Sequence, residues 1–237
     1  RIAPRWTNYP ETLRGPEATF GAAEQGSGFL RFMRNSLLIS CMAILGQPIS
    51  SSMVAYGFSR IHFRGRPTLF VLLLSTLMLP AQVPMIPMSS FYKQLGWIDT
   101  FLPLIVPHFL AGAFNVFLIR QYMLTLPREL DDAGAIDGCN HWQTYWHIIL
   151  PNCKAVLIVV ALFTFVGTWQ DVMGPLIYLN DQRLYPLALG LFDFRTQHGG
   201  DYGLLMAAST MVTLPVIAVF FLAQKHFIQG VTLTGMK

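Results

Sequence analysis

Five apolar stretches, each long enough to cross a lipid bilayer, govern what this chain can fold into. They run over about 35–58, 68–91, 101–119, 155–179 and 204–223. Roughly 20 apolar residues span the hydrocarbon core as a helix. Backbone groups in lipid find no water and must be paired within the segment, so helices are the expected form. The composition points the same way: 53% of residues are hydrophobic and 12% charged, against about a quarter charged in soluble domains. The expectation is an all-α, polytopic transmembrane helical bundle.

The net charge of +4 is small and scattered along the chain, which argues against nucleic-acid binding. In a membrane protein, Lys and Arg instead mark the cytoplasmic loops. Arg60, His62, Arg64 and Arg66 make a compact basic joint after the first stretch. With that joint inside, residues 120–154 and the C-terminus are also inside. The Lys/Arg count is eight on each side, five of the outer ones lying before the first stretch, and long segments weigh less in the rule. The three cysteines, Cys41, Cys139 and Cys153, give no disulfide framework. The six histidines show no metal-ligand spacing.

Pro48, Pro80, Pro84, Pro87, Pro103, Pro107, Pro175 and Pro215 fall within or beside the stretches. Each one inside a helix deletes a backbone hydrogen bond and favours a kink. The cluster at 80–87 fits either a solute pathway or packing kinks.

The sharpest local pattern lies between the third and fourth stretches, from Glu129 to Pro151. Pro127 and the acids after it suit a helix start. Gly138 is the natural break, where glycine reaches positive φ at no steric cost. Residues 140–149 then form a second helix with Trp142, Tyr145, Trp146 and Ile149 at helical spacing, and Thr144 on the solvent side. Two short helices with an exposed aromatic face read as a docking surface. The alternative is an amphipathic helix lying in the headgroups, although the basic face such helices prefer is missing.

This loop resembles the EAA motif of ABC importer membrane subunits, in which Glu-Ala-Ala is followed by three residues, Gly, nine residues, Ile, one residue and Leu-Pro. Here Asp132-Ala133-Gly134 is followed by Gly138, Ile148, Leu150 and Pro151 at the same spacing. Asp132 replaces Glu and Gly134 replaces Ala, the latter expected to loosen the first helix by roughly 1 kcal/mol. The run from Tyr56 to Arg66 resembles the family's first cytoplasmic loop, the runs from Thr76 to Pro87 and from Gly167 to Leu176 are similar to spans of the maltose/glycerol-phosphate type of carbohydrate permease, and Gln229-Gly-Val-Thr232 resembles that branch's C-terminal tail. The resemblance covers about 29–237 and implies a type I importer permease. It also implies six spans, of which five are visible, so a first span is expected ahead of Arg1. The domains are then an extracytoplasmic segment 1–34, a transmembrane permease domain 35–224 with its cytoplasmic coupling loop at 120–154, and a cytoplasmic tail 225–237.

The resemblance implies a division of labour. A second permease subunit completes the pore, an ATPase homodimer drives it, and an extracytoplasmic solute-binding protein delivers the solute. ATP and Mg belong to the ATPase, because no phosphate-loop motif occurs in this chain. It also makes the loop residues Asp132, Ala133, Gly134, Asp137, Gly138, Trp142, Tyr145, Ile148, Leu150 and Pro151 the ATPase-coupling set.

Asp171 is the one acid inside an apolar stretch. Such charges usually face a bundle interior or water, or make a structural hydrogen bond to an unwound neighbour near Pro175. Gln82, Asn115, Trp169 and Gln170 join it as candidate substrate-pathway residues, since hydrogen bonds and an aromatic face suit a polyhydroxylated solute. For the membrane Asn and Gln, interhelical bonding is the other role. The rival functions are an ion-coupled secondary transporter using Asp171, an intramembrane enzyme, and an ABC permease for a non-carbohydrate solute.

Overall fold

The computed structural model describes residues 7–10, 28–80, 82–197 and 202–232, and among them there is no β-strand. Most of the expected N-terminal segment, including Pro4, Pro16 and Gly26, lies outside the described residues, as do Gly199, Gly200 and 233–237.

Among the described residues, three helices are long and apolar enough to cross a membrane: α1 (Gly28–Arg60), a span over Leu102–Thr125, and Leu205–Leu222 within a longer helix. Two bent pairs, the second being His141–Asn152 with Lys154–Trp169, bring the number up to five if each pair is one span. The first pair is α2 (Arg66–Ser75), extended by a 3₁₀ turn to Met78, and α3 (Gln82–Gln94). The Leu102–Thr125 span is itself interrupted, with α4 (Leu102–Ile105) and a 3₁₀ turn at Val106–Phe109 preceding α5 (Ala113–Thr125). Pro80 and Pro107 sit at these interruptions, where the missing N–H makes a continuous helix costly, whereas Pro103 lies in the first turn of α4. After the loop helices comes α8 (Lys154–Trp169), then α9 (Met173–Tyr178), α10 (Leu187–Gln197) and α11 (Tyr202–Thr232).

Four helix boundaries differ from the limits of the apolar stretches. The first helix starts at Gly28, so 28–34 are helical. The stretch 155–179 is not one helix: it stops at Trp169 and resumes at Met173. The polar joint 180–203 contains α10, which an apolar run beginning at Leu187 sustains but which is too short to span. The last helix continues through Gln224 to Thr232, so 225–232 are helical.

The chain packs as two compact units. One gathers the described residues up to Met42 together with those of 85–105 and 165–221. Its core joins Ile39, Tyr92, Leu104, Tyr178 and Leu179. The buried Asn35 amide donates to the carbonyls of Arg183 (2.9 Å) and Tyr185 (3.1 Å), and Ser36 Oγ accepts from Leu187 N–H at 2.7 Å. Polar side chains in α1 thus pair backbone groups of the irregular segment before α10, which would otherwise be costly to bury.

The other unit gathers the described residues of 43–84, 106–164 and 222 onward. Its core is built from Ala55 and Tyr56 of α1, Val116, Ile119 and Met123 of α5, and Val156 and Val160 of α8, with Tyr145, Ile149 and Cys153 completing it. The helix ends here are capped by arginines. Arg120 Nε donates to Phe58 O (3.1 Å), and Arg66 donates to Ser59 O (3.3 Å) and Ile61 O (3.4 Å). Basic groups at helix C-termini satisfy free carbonyls and complement the dipole.

Candidate functional site

The segment between α5 and α8 folds as two short helices, α6 (Glu129–Ile136) and α7 (His141–Asn152). Glu129, Asp131 and Asp132 occupy the first turn of α6, where negative charge favours the positive end of the helix dipole. Pro127 stands just ahead of the helix. The C-terminus closes as a Schellman motif: Cys139 N–H donates to Gly134 O (2.9 Å) and Gly138 N–H to Ala135 O (3.1 Å). Gly138 has φ of 77° with open space around it. The glycine is required by conformation, then, and not by a close neighbour.

Asn140 starts α7 with a reciprocal capping box. Its Oδ1 accepts from Gln143 N–H, and Gln143 Oε1 accepts from Asn140 N–H, both at 2.9 Å. From Thr144 to Ile149 the helix widens into a π segment, a form that is often found at functional sites. Leu150 and Pro151 continue it to Asn152. The junction at Cys153 then bends the chain by 79° into α8.

The two helices pack at Gly134, which is buried. A Cβ there would stand 2.8 Å from Ile148 Cδ1 and 3.3 Å from Thr144 Oγ1. The small residue allows this approach, a packing role beside the expected loosening of α6. Thr144 is buried too, donating to Asn140 O at 3.1 Å, and is not on the solvent side.

The aromatic face expected on α7 is divided. Tyr145 is 1% exposed: its ring lies 5.3 Å from that of Tyr56, and its hydroxyl hydrogen-bonds Ser52 Oγ at 2.8 Å. This corrects Tyr145 from a docking contact to a core residue, because the face carrying it and Ile149 covers the apolar end of α1. Trp142 (57% exposed) and Trp146 (38%) remain outside, in T-shaped contact at 5.8 Å. Asp132, Ala133, Asp137, Gly138 and Pro151 are exposed, whereas Ile148 and Leu150 are half-buried. Ile136, 86% exposed at the end of α6, was not anticipated. An apolar residue in a polar, acidic helix was the signal that could have found it.

A cleft of about 460 Å³ opens between α6, the start of α7 and the end of α1. Tyr56, Arg60, Arg128, Asp131, Asp132, Ala135, Cys139, Asn140, His141 and Thr144 line it. Among the described residues, no group of three or more His, Cys, Asp or Glu could hold a metal ion.

The expected pathway residues fall into different surroundings. Gln82 is exposed at the start of α3. Asn115 joins a polar cluster centred on Gln47, a buried residue of α1 that sequence reasoning passed over. With the Gln47 amide oxygen facing the donors, it accepts from Gly112 N–H (2.7 Å), Asn115 Nδ2 (2.9 Å) and Ser51 Oγ (3.1 Å), and its nitrogen donates to His108 O at 3.2 Å. Trp169 is 1% exposed, stacks on Phe165 at 5.3 Å and donates its indole N–H to Val212 O at 3.0 Å. It is a packing residue here, with no face free for solute. Gln170 is exposed. Asp171 lies in the break after α8 rather than within a helix, and its Oδ1 accepts from Gly174 N–H at 3.1 Å. Asp171 thus satisfies an N–H at the start of α9.

Three helices long and apolar enough to span among the described residues, or up to five spans when the bent pairs α2–α3 and α7–α8 are each counted as one, define a multi-pass α-helical membrane protein. The chain belongs to the family described as binding-protein-dependent transport system inner membrane components, which it matches over residues 47–233. It is therefore a transport permease of the inner membrane, and the enzymatic and ion-coupled alternatives fall away. It is 33% identical over 212 residues to the arabinooligosaccharides transport system permease protein AraQ of Bacillus subtilis, covering 90% of this chain and 75% of that one. It is 30% identical over 233 residues to the trehalose/maltose transport system permease protein MalG of Thermococcus litoralis, covering 97% and 80%. Among solved structures, a chain of a bacterial ABC transporter involved in the import of the acidic polysaccharide alginate has the same fold, with a TM-score of 0.77 and 22% identity over 94% of this chain and 79% of that one.

Proposed function

We propose that this chain is one of two pore-forming permease subunits of an ATP-driven importer for a sugar or sugar-like solute. The observation that carries the reading is the α6–α7 pair. The EAA-like spacing folds as two capped helices that are anchored on one side, while Ile136, Trp142 and Trp146 stay unburied on the other. Such a surface suits a partner that buries apolar and aromatic groups. The partner is an ATPase homodimer, which binds the ATP and Mg. A second permease subunit completes the pore, and an extracytoplasmic binding protein delivers the solute. Relatives named for arabinooligosaccharide and trehalose/maltose transport support a carbohydrate cargo. On this reading the α6–α7 loop and the basic end of α1 are cytoplasmic.

The chain, expressed with the ATPase, second permease and binding protein of its own system, is purified in mild detergent and reconstituted into vesicles. ATP-dependent uptake is then measured for a panel of mono-, di- and oligosaccharides. Uptake of at least one, abolished by omitting the ATPase or the binding protein, is the expected result. Transport that persists without any ATPase sinks the proposal.

A further inference from the structure

The last turns of α1 present Ser52, Tyr56 and Arg60 at four-residue spacing, so they share one face of the helix. Each meets the α6–α7 pair: Ser52 bonds the Tyr145 hydroxyl, Tyr56 packs on the Tyr145 ring, and Arg60 reaches Asp131. Arg60 does more than pair a charge. Its Nη1 lies 2.8 Å from Asp131 Oδ2, while its Nη2 donates to Met123 O (2.8 Å) and Leu126 O (3.0 Å). Those carbonyls are at the C-terminal end of α5, where Met123 O also accepts a long bond from Leu126 N–H (3.3 Å) and the helix leaves its last carbonyls short of donors. One planar group therefore ties together the end of α1, the end of α5 and the first turn of α6.

The Arg60 side chain is 6% exposed and that of Asp131 26%. An ion pair on a wet surface is screened and weak, but a buried one is strongly coupled to its surroundings, and here Nη1 and Nη2 are both engaged while the buried Nε has no partner. The guanidinium is rigid and its donors are fixed in direction. Displacing Asp131 therefore turns the same group that holds the α5 carbonyls.

We propose that Arg60 is the positioning residue through which a displacement of α6 is passed to α1 and α5. Asp131, one residue ahead of the EAA-like triplet, is its handle on the loop. This rests on the reading of α6–α7 as the ATPase-docking pair. It assigns to two residues that touch neither solute nor nucleotide the task of keeping loop and spans in step.

The test uses the whole importer with spin labels at Glu129→Cys on α6 and Leu45→Cys on α1, both exposed positions, in a chain with its native cysteines replaced. The α6-to-α1 distance is measured by pulsed electron resonance, without nucleotide and with ATP plus vanadate. In the parent, loop and span move together and the distance is kept. In Arg60→Gln the loop responds alone and the distance shifts on trapping. Arg60→Lys, which keeps the charge for Asp131 but cannot also hold both α5 carbonyls, shifts less. Asp131→Asn behaves like Arg60→Gln, and combining the two adds nothing. A merely structural role predicts instead a distance distribution already broadened before nucleotide is added.

An unshifted distance in Arg60→Gln and Asp131→Asn, in complexes that trap vanadate like the parent, overturns the proposal. So does failure of all three single variants to assemble, since Arg60 would then be a folding residue. A parent complex that neither retains an ATPase nor traps vanadate counts against the permease reading itself, and is recognised before any variant is compared.

Discussion

Gly138 turns the chain between the two loop helices at φ of 77°. A residue with a Cβ held there costs about 1–2 kcal/mol, and a β-branched one strains further. Gly138→Val is expected to insert and accumulate normally but to lose most ATP-driven uptake in vesicles, with Gly138→Asn retaining more. His147→Ser is the control, because His147 is exposed on α7; Thr144 is buried and unsuited to that purpose. Parental uptake by Gly138→Val would show that the turn is not needed for coupling. At Gly134 the added methyl of alanine meets the mobile end of Ile148. Its packing cost and the propensity gain of up to ~1 kcal/mol largely cancel, so Gly134→Ala should leave thermal stability in detergent nearly unchanged. Gly134→Leu should separate α6 from α7 and lower it clearly. The thiols differ as well. Burial pushes Cys153 up to about 12, with Arg60 opposing the rise only in part, whereas Cys139 borders the cleft. Since the thiolate is the reactive form, maleimide at pH 8 should modify Cys139 and spare Cys153, as read by mass spectrometry of a Cys41→Ser chain.

At the scale of elements, α7 shows what a sequence pattern discloses and what it hides. The helical spacing of Trp142, Tyr145, Trp146 and Ile149 was legible, as were the Gly138 break and the acidic start of α6. Which side of that pattern faces out was not, because it depends on Tyr56 and on Ser52, the latter 93 residues before Tyr145. The same holds for α8. Hydropathy runs on past Trp169, so the sequence shows a single stretch, but the Asp171 carboxylate on Gly174 N–H begins a new helix there. The Gln47 cluster escaped notice because its partners, His108 and Asn115, come from a distant span. The divided face makes a prediction. Trp142→Ala and Trp146→Ala should weaken co-purification of the ATPase while leaving the melting temperature of the isolated permease pair unchanged. Tyr145→Phe should do the reverse, removing one buried hydrogen bond of about 1 kcal/mol and sparing ATPase recovery. Equal recovery of ATPase with both tryptophans replaced would remove them from the docking surface.

For the whole molecule, the question is which ends face the cytoplasm. The basic residues that suggest an answer are partly occupied otherwise, since Arg60, Arg66 and Arg120 hold helix-end carbonyls. That does not weaken their bearing on topology, because the positive-inside bias acts on charge near span ends whatever bonds the charge makes after folding. Connectivity provides a separate test. Lys93, exposed near the end of α3, and His147, exposed on α7, flank the Leu102–Thr125 span. One crossing between them places them on opposite faces of the bilayer. In a chain with its native cysteines replaced, Lys93→Cys should react with a membrane-impermeant thiol reagent in right-side-out vesicles, and His147→Cys only in inside-out vesicles. The His147→Cys signal should fall when the ATPase is present, as the subunit covers α7. Modification of both from the same side would mean that Leu102–Thr125 does not cross. Reversal of the two would keep the crossing but place the α6–α7 pair outside, where no ATP-driven partner could reach it.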